Sequence, residues 1–194
     1  YKEAVKWYRL SADQGFVSAQ INLGVMYYHG QGVPQDYKEA IKWYRLSAEQ
    51  GDMRAQSILG LIYNLGTGVP QDYKEAVKWY RLSAEKGDAD AQHHLGVLYS
   101  EGEGVPQDHK EAVRLYRLSA EQGYALAQYN LGVMYFKGRG VLRDYALADM
   151  WFNLCGSSGD KLCLSFRKDI EKEMSPSQIK KAQELARNWK SKVR

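Results

Sequence analysis

Residues 19–51 read AQINLGVMYYHGQGVPQDYKEAIKWYRLSAEQG, and the chain repeats this stretch with small changes. Tyr1, Tyr37, Tyr73, His109 and Tyr145 fall 36 residues apart, and each opens a version of YKEAVKWYRLSAEQG. The companion block A-Q-x-x-L-G-x-x-Y-x-x-G-x-G-V runs from Ala19 to Val33, Ala55 to Val69, Ala91 to Val105 and Ala127 to Val141. A fixed period of this length signals stacked supersecondary units, none of which can bury its apolar face alone.

Both blocks read as helices. The YKEA block, helix B, is preceded by Asp36, Asp72, Asp108 or Asp144, whose carboxylates suit an N-cap. Glu39, Glu75 and Glu111 stand three residues later, the spacing of a reciprocal capping box. Ala40, Ile41, Tyr44 and Ala48 follow helical spacing, and Gly51, Gly87, Gly123 and Gly159 stand where a left-handed residue ends a helix. The AQxxLG block, helix A, places Ala19, Leu23, Met26 and Tyr27 on helical spacing. It carries Gly24, Gly60, Gly96 and Gly132 in its interior. Mid-helix glycine costs up to ~1 kcal/mol against alanine, so its recurrence implies close approach of a neighbouring helix. Gly30 and Gly32 suit a helix stop and a tight turn, and Pro34, Pro70 and Pro106 stiffen the link to the next N-cap. A phosphate-loop reading of these glycine pairs fails, because no strand precedes them and no Gly-Lys-Ser/Thr follows.

This period and signature resemble the Sel1-like repeat of bacterial proteins, a relative of the tetratricopeptide repeat, over residues 1–159. The longer period and the Gly-x-Gly-Val turn separate it from the tetratricopeptide repeat itself. The implied fold is an all-α, α/α superhelical solenoid. It divides into a truncated helix B (1–15), four repeats (16–51, 52–87, 88–123, 124–159) and a closing region (160–194). The closing region should hold helices at 160–173 and, after the Ser175-Pro176 start signal, 177–192. The stretch MSPSQIKKAQELARNWK is similar to a helix that closes bacterial Sel1-like proteins, and Ile179, Ala182, Leu185, Ala186 and Trp189 give it an apolar capping face. Because Tyr1 to Val5 already belong to a helix B, the chain reads as a fragment, and a missing leader carries nothing about compartment.

Composition narrows the function classes. The net charge of +4 arises from Lys and Arg interleaved with Glu and Asp, as on a solvated helical surface. Only 180–194 is clearly basic, so a nucleic-acid partner is not expected. No apolar run approaches the ~18 residues of a membrane span. Neither cofactor nor metal is implied. His93 and His94 are adjacent, so on a helix they diverge by about 100° and would not chelate together. His109 takes the place of a tyrosine.

Ser165 and Lys168 match the Ser-x-x-Lys of penicillin-recognising enzymes, and a cysteine-rich branch of the Sel1-like family is linked to β-lactam binding. Their Ser-Asp-Asn and Lys-Thr-Gly companions are absent, and the match reads as coincidence. Cys155 stands where Ser47, Ser83 and Ser119 stand, and Cys163 where Ala55, Ala91 and Ala127 stand. Their spacing of eight matches the cysteine-rich branch, which implies a disulfide between the last repeat and the cap and favours an exported (periplasmic or secreted) protein over a cytoplasmic one. The alternative is a pair of small buried thiols.

Helix B is nearly copied between repeats, including Trp7, Trp43, Trp79 and Trp151, with Leu115 as the exception. Helix A carries the differences. One column reads Ile21, Ser57, His93, Tyr129, and the next Asn22, Ile58, His94, Asn130. Two more read Tyr28, Asn64, Ser100, Phe136 and His29, Leu65, Glu101, Lys137. The resemblance places helix A on a concave face, so these columns become candidates for a partner groove, with Tyr28, Tyr129 and Phe136 as aromatic anchors. Drift at exposed positions is the competing account. The expected partner-binding residues are Asn22, Tyr28, His29, Ile58, Leu65, His94, Glu101, Tyr129, Asn130, Phe136 and Lys137. The expected function is a non-enzymatic scaffold for a protein or peptide partner. The alternatives are a β-lactam- or cell-wall-related hydrolase and a purely structural spacer.

Overall fold

A computed structural model describes residues 1–157 and 160–189. Among these residues there are eleven helices and no strand: α1 Lys2–Asp13, α2 Val17–His29, α3 Tyr37–Glu49, α4 Met53–Leu65, α5 Tyr73–Glu85, α6 Ala89–Glu101, α7 His109–Glu121, α8 Ala125–Lys137, α9 Tyr145–Gly156, α10 Lys161–Glu171 and α11 Pro176–Asn188. Odd numbers from α1 to α9 are B helices, and α2, α4, α6 and α8 are A helices. Gly159 and the expected end of the last helix at Lys192 lie outside the described residues. Two compact units are present: Tyr1–Ala91 with Glu103–Val105, and Gln92–Gly102 with the chain from Pro106 onward.

The B helices α3, α5, α7 and α9 are capped as their aspartates predict, while α1 begins at Tyr1 without a side-chain cap. Asp36 Oδ1 accepts from the N–H of Lys38 at 2.9 Å and of Glu39 at 3.1 Å. The capping box expected with Glu39 is only half formed. The N–H that the glutamate would take belongs to Asp36, and it donates instead to the Tyr27 carbonyl at 2.9 Å. Glu39 turns outward to Lys42 at 3.3 Å. The same bond recurs from Asp72 to Tyr63, Asp108 to Tyr99 and Asp144 to Tyr135, so it staples the end of each A helix to the start of its own B helix. A complete box forms at α11, where Ser175 and Gln178 bond reciprocally.

Helix A has caps that the repeat pattern did not reveal. Asp52 accepts from Ala55 N–H, Asp88 from Ala91 N–H, and Asp160 from the Leu162 and Cys163 N–H groups. Phe16 and Tyr124 hold the same place without a side-chain bond. Three of the buried AQ glutamines have a structural task as well. Gln20, Gln56 and Gln128 donate to the Ala12, Ala48 and Ala120 carbonyls, groups that a helix C-terminus leaves without an intrahelical partner.

The interior glycines answer to packing. A Cβ on Gly24 would come within 2.7 Å of the Tyr44 ring, and one on Gly60 within 2.5 Å of Tyr80. Gly96 and Gly132 face Tyr116 and Phe152 in the same way. In the turn, Gly32 has φ +77°, and a Cβ there would meet the Tyr1 backbone at 2.6 Å. Buried apolar residues form one cluster in each unit, centred on Leu23, Tyr44 and Leu59 in the first and on Tyr116, Leu131 and Phe152 in the second. The tryptophan column does not do one job throughout. Trp43, Trp79 and Trp151 are buried, while Trp7 on α1 is 69% exposed.

Candidate functional site

In the first unit, α2, α3 and α4 enclose a cavity of about 230 Å³ on the A-helix side. Tyr28 and His29 come from the last turn of α2, and Ile58, Leu61 and Ile62 from α4. Its floor is Tyr44 of α3, whose ring passes over Gly24 to reach this side. The rim is preset. The Tyr28 ring packs edge-on against His29 at 5.0 Å and Tyr37 at 5.2 Å, and Gln35 donates to the Tyr28 carbonyl at 2.8 Å. Burial, and secondarily the nearby Tyr28, pushes the Tyr44 hydroxyl well above its ordinary value, so the floor stays neutral. A mostly apolar recess with two polar rims can take an aliphatic or aromatic side chain.

The expected groove residues divide by what surrounds them. Tyr28, His29 and Ile58 come together around this cavity. Asn22 and the 61%-exposed Leu65 are on the surface of the same unit but do not line it. In the second unit, Glu101 and Lys137 are exposed and His94 is half-buried. Asn130 is engaged inside, with Nδ2 3.1 Å from Nε2 of buried His93, whose ring lies 5.2 Å from Tyr124. The Tyr129 ring packs on Phe166 at 5.4 Å and Phe152 at 5.9 Å, so it joins α8 to α10, and burial raises its hydroxyl pKa. Phe136 lines a second, smaller cavity with Phe152 and Phe166.

One variable column turns largely inward: Ile21, Ser57 and His93 are buried, and Tyr129 is half-buried. Variation along a helix therefore does not by itself mark a surface, since a buried column also varies where its neighbours compensate. Nothing in the sequence marks Val25, Leu61, Ile62 and Thr67 as lining residues, and Tyr44 reads there as a packing residue. The signal for Tyr44 was present in Gly24, whose missing side chain admits the ring.

No catalytic arrangement is built around the Ser-x-x-Lys pair among the described residues. Ser165 and Lys168 are both exposed on α10, without the enclosed, desolvated setting that activates a serine. Cys155 and Cys163 are buried and joined by a disulfide, with Cα atoms 5.9 Å apart. Asp160 offers a carboxylate oxygen within 4.8 Å of both sulfurs, the one such metal-ligand group among the described residues. Its carboxylate already caps α10, and the sulfurs are bonded to each other rather than free as thiolates.

The Sel1 repeat model matches residues 1–16, 17–52, 54–88, 89–124 and 125–160. Among solved structures, the chain is similar to c5321, a protective antigen present in uropathogenic Escherichia coli strains, with 39% identity and a TM-score of 0.87. That match covers 95% of this chain and 40% of the antigen, so the chain spans well under half of that protein. A Sel1 repeat protein from Oxalobacter formigenes is 34% identical with a TM-score of 0.80, over 95% of this chain and 76% of that one. The immunity protein Pa5087 from Pseudomonas aeruginosa shares the fold at 21% identity and a TM-score of 0.54, over 95% of this chain and 70% of its own. No curated protein matches the chain. With its repeats matched almost end to end and homologous structures at 39% and 34% identity, the chain belongs to the Sel1 repeat family.

Proposed function

We propose that this chain is a non-enzymatic adaptor that binds a protein or peptide partner on the side of its A helices. Sel1 repeat proteins mediate protein–protein interaction, and the partner is what distinguishes one from another. The observation that carries the reading is the preset apolar cavity of α2, α3 and α4, bordered by Tyr28 and His29. A structural spacer has no use for such a recess. The hydrolase reading finds no support in the exposed Ser165, and a chromogenic β-lactam should be left intact whether or not Ser165→Ala is introduced.

The test is selection of a displayed random-peptide library on the intact chain, followed by affinity measurements. Leu61→Lys and His29→Glu should weaken the selected peptides by about tenfold or more, the effect of losing a buried anchor. Lys42→Glu, on the B side, should leave them unchanged. Selected peptides that ignore the first two changes and respond to the third would move the site off the A helices.

Export to an oxidising compartment accompanies this reading, supported by the Cys155–Cys163 disulfide. Thiol titration of the denatured, unreduced protein should find no free thiol. Recovery of two thiols from protein isolated under non-reducing conditions would count against export.

A further inference from the structure

The cavity lined by Phe136 lies at the repeat register of the first-unit cavity, three periods later in sequence. Phe136, Phe152, Phe166 and Ile170 stand three full repeats after Tyr28, Tyr44, Ile58 and Ile62. The two rim positions differ in kind. The columns of Asp169 and Glu173 read Val25 and His29, Leu61 and Leu65, Val97 and Glu101, Val133 and Lys137, then Asp169 and Glu173, and Leu65 does not line the first-unit cavity. Only the last register carries two carboxylates, and both line the cavity.

The site lies within the second unit and measures about 120 Å³, room for one long side chain. Phe152 and Phe166 stack with centroids 5.6 Å apart and form an aromatic wall. Glu173 accepts from the Tyr145 hydroxyl at 3.2 Å, which fixes the carboxylate at the mouth. Asp169 is paired with Lys172 at 2.7 Å, but the two side chains are 66% and 74% exposed. An exposed pair of this kind contributes little and yields readily to a better partner.

We propose that this cavity binds an arginine side chain of the partner, its stem and guanidinium plane against the phenylalanines and its charge between Asp169 and Glu173. This rests on the adaptor reading and deepens it. Charge complementarity selects the occupant. The half-buried Phe136 and Phe166 offer ring surface to a flat cation, the two carboxylates favour a positive charge, and the guanidinium meets both better than a compact ammonium. A neutral apolar anchor would gain nothing from the two carboxylates, which sets this site apart from the first-unit cavity, where Leu61 stands in the place of Asp169.

The experiment titrates the intact chain with capped pentapeptides, Gly-Gly-X-Gly-Gly, in which X is arginine, citrulline or norleucine, while backbone amide NMR signals are followed. Arginine should give saturable shifts at Phe136, Phe166, Asp169 and Glu173, weakened by added salt. Citrulline, of the same shape without the charge, and norleucine should be several-fold weaker. Asp169→Asn with Glu173→Gln, two exposed isosteric changes that leave the fold in place, should weaken arginine by about three- to tenfold, as expected of partly exposed charge contacts. Equal binding of citrulline or norleucine, indifference to the double variant, or no saturable shift with arginine would overturn the assignment. None of these outcomes touches the Leu61 and His29 measurements, so failure here is distinguishable from failure of the adaptor reading.

Discussion

The places before α2, α4, α6, α8 and α10 hold Phe16, Asp52, Asp88, Tyr124 and Asp160, and the backbone at Phe16 already has the shape that Asp52 uses. Phe16 has φ −66° and ψ 112°, against −68° and 121° at Asp52, yet only the aspartate accepts a hydrogen bond from the first turn. The Phe16 ring is 60% exposed and contributes little packing. Phe16→Asp should therefore stabilise the chain by about 0.5–1 kcal/mol, measured by denaturant unfolding. Gly60 makes the opposite case. Alanine in a helix interior normally gains up to ~1 kcal/mol over glycine. Here its methyl carbon would lie 2.5 Å from the fully buried Tyr80 ring, so Gly60→Ala should cost about 1–3 kcal/mol in the same assay. The recurrence of glycine was legible in sequence, as was the close approach it implies. Which ring fills the gap depends on the spacing of α4 and α5 and was not.

Between α9 and α10 the joint departs from the rest of the chain. Asp149 stands in the column of Val5, Ile41, Val77 and Val113, and Arg167 in that of Leu23, Leu59, Leu95 and Leu131. Two apolar columns thus supply an ion pair here, at 3.2 Å, with Asp149 1% exposed and Arg167 held also by Glu171 at 2.8 Å. Removing one partner leaves a buried group uncompensated, so Arg167→Leu alone should destabilise by about 3–5 kcal/mol. Asp149→Val with Arg167→Leu restores the residues of the other repeats and should be neutral or stabilising by about 1–4 kcal/mol. Burial pushes the Asp149 carboxyl above its ordinary value, with Arg167 pulling against that rise. The folded chain therefore holds this proton more tightly than the unfolded one. The resulting stabilisation is complete below the unfolded value of about 4 and is lost as pH rises through the higher folded value. Relative to Asp149→Asn, the parent should lose stability over that interval, as pH-dependent unfolding of the two will show. A parent that gains on the variant as pH rises would reverse the sign.

For the molecule as a whole, stability rests on buried apolar columns, backbone caps and the glutamine bonds rather than on surface charge. The pairs Glu39–Lys42, Glu75–Lys78 and Glu111–Arg114 are copies at i,i+3 spacing with basic side chains more than half exposed. Such pairs contribute about 0–1 kcal/mol each and are screened by salt. Raising sodium chloride from about 0.1 M to about 1 M, where the screening length falls to about 3 Å, should move the melting temperature by no more than a few degrees. A large fall on adding salt would show that the charged surface carries more of the stability than its exposure allows.

The 36-residue period, the B-helix caps, the glycine punctuation and the family were all present in the sequence. These features arise from hydrogen bonds and backbone conformations that close within a few residues, and repetition makes them plain. Tertiary structure decided what depends on neighbours far along the chain. It turned the Ile21, Ser57 and His93 column inward and sent the Asp36 N–H to Tyr27 instead of Glu39. It also carried Tyr44 over Gly24 to the A-helix side, and set Asp169 and Glu173 at the mouth of a phenylalanine cavity. Periodicity specifies which residues share a helix face, but only packing determines whether that face meets another helix or remains open to a partner.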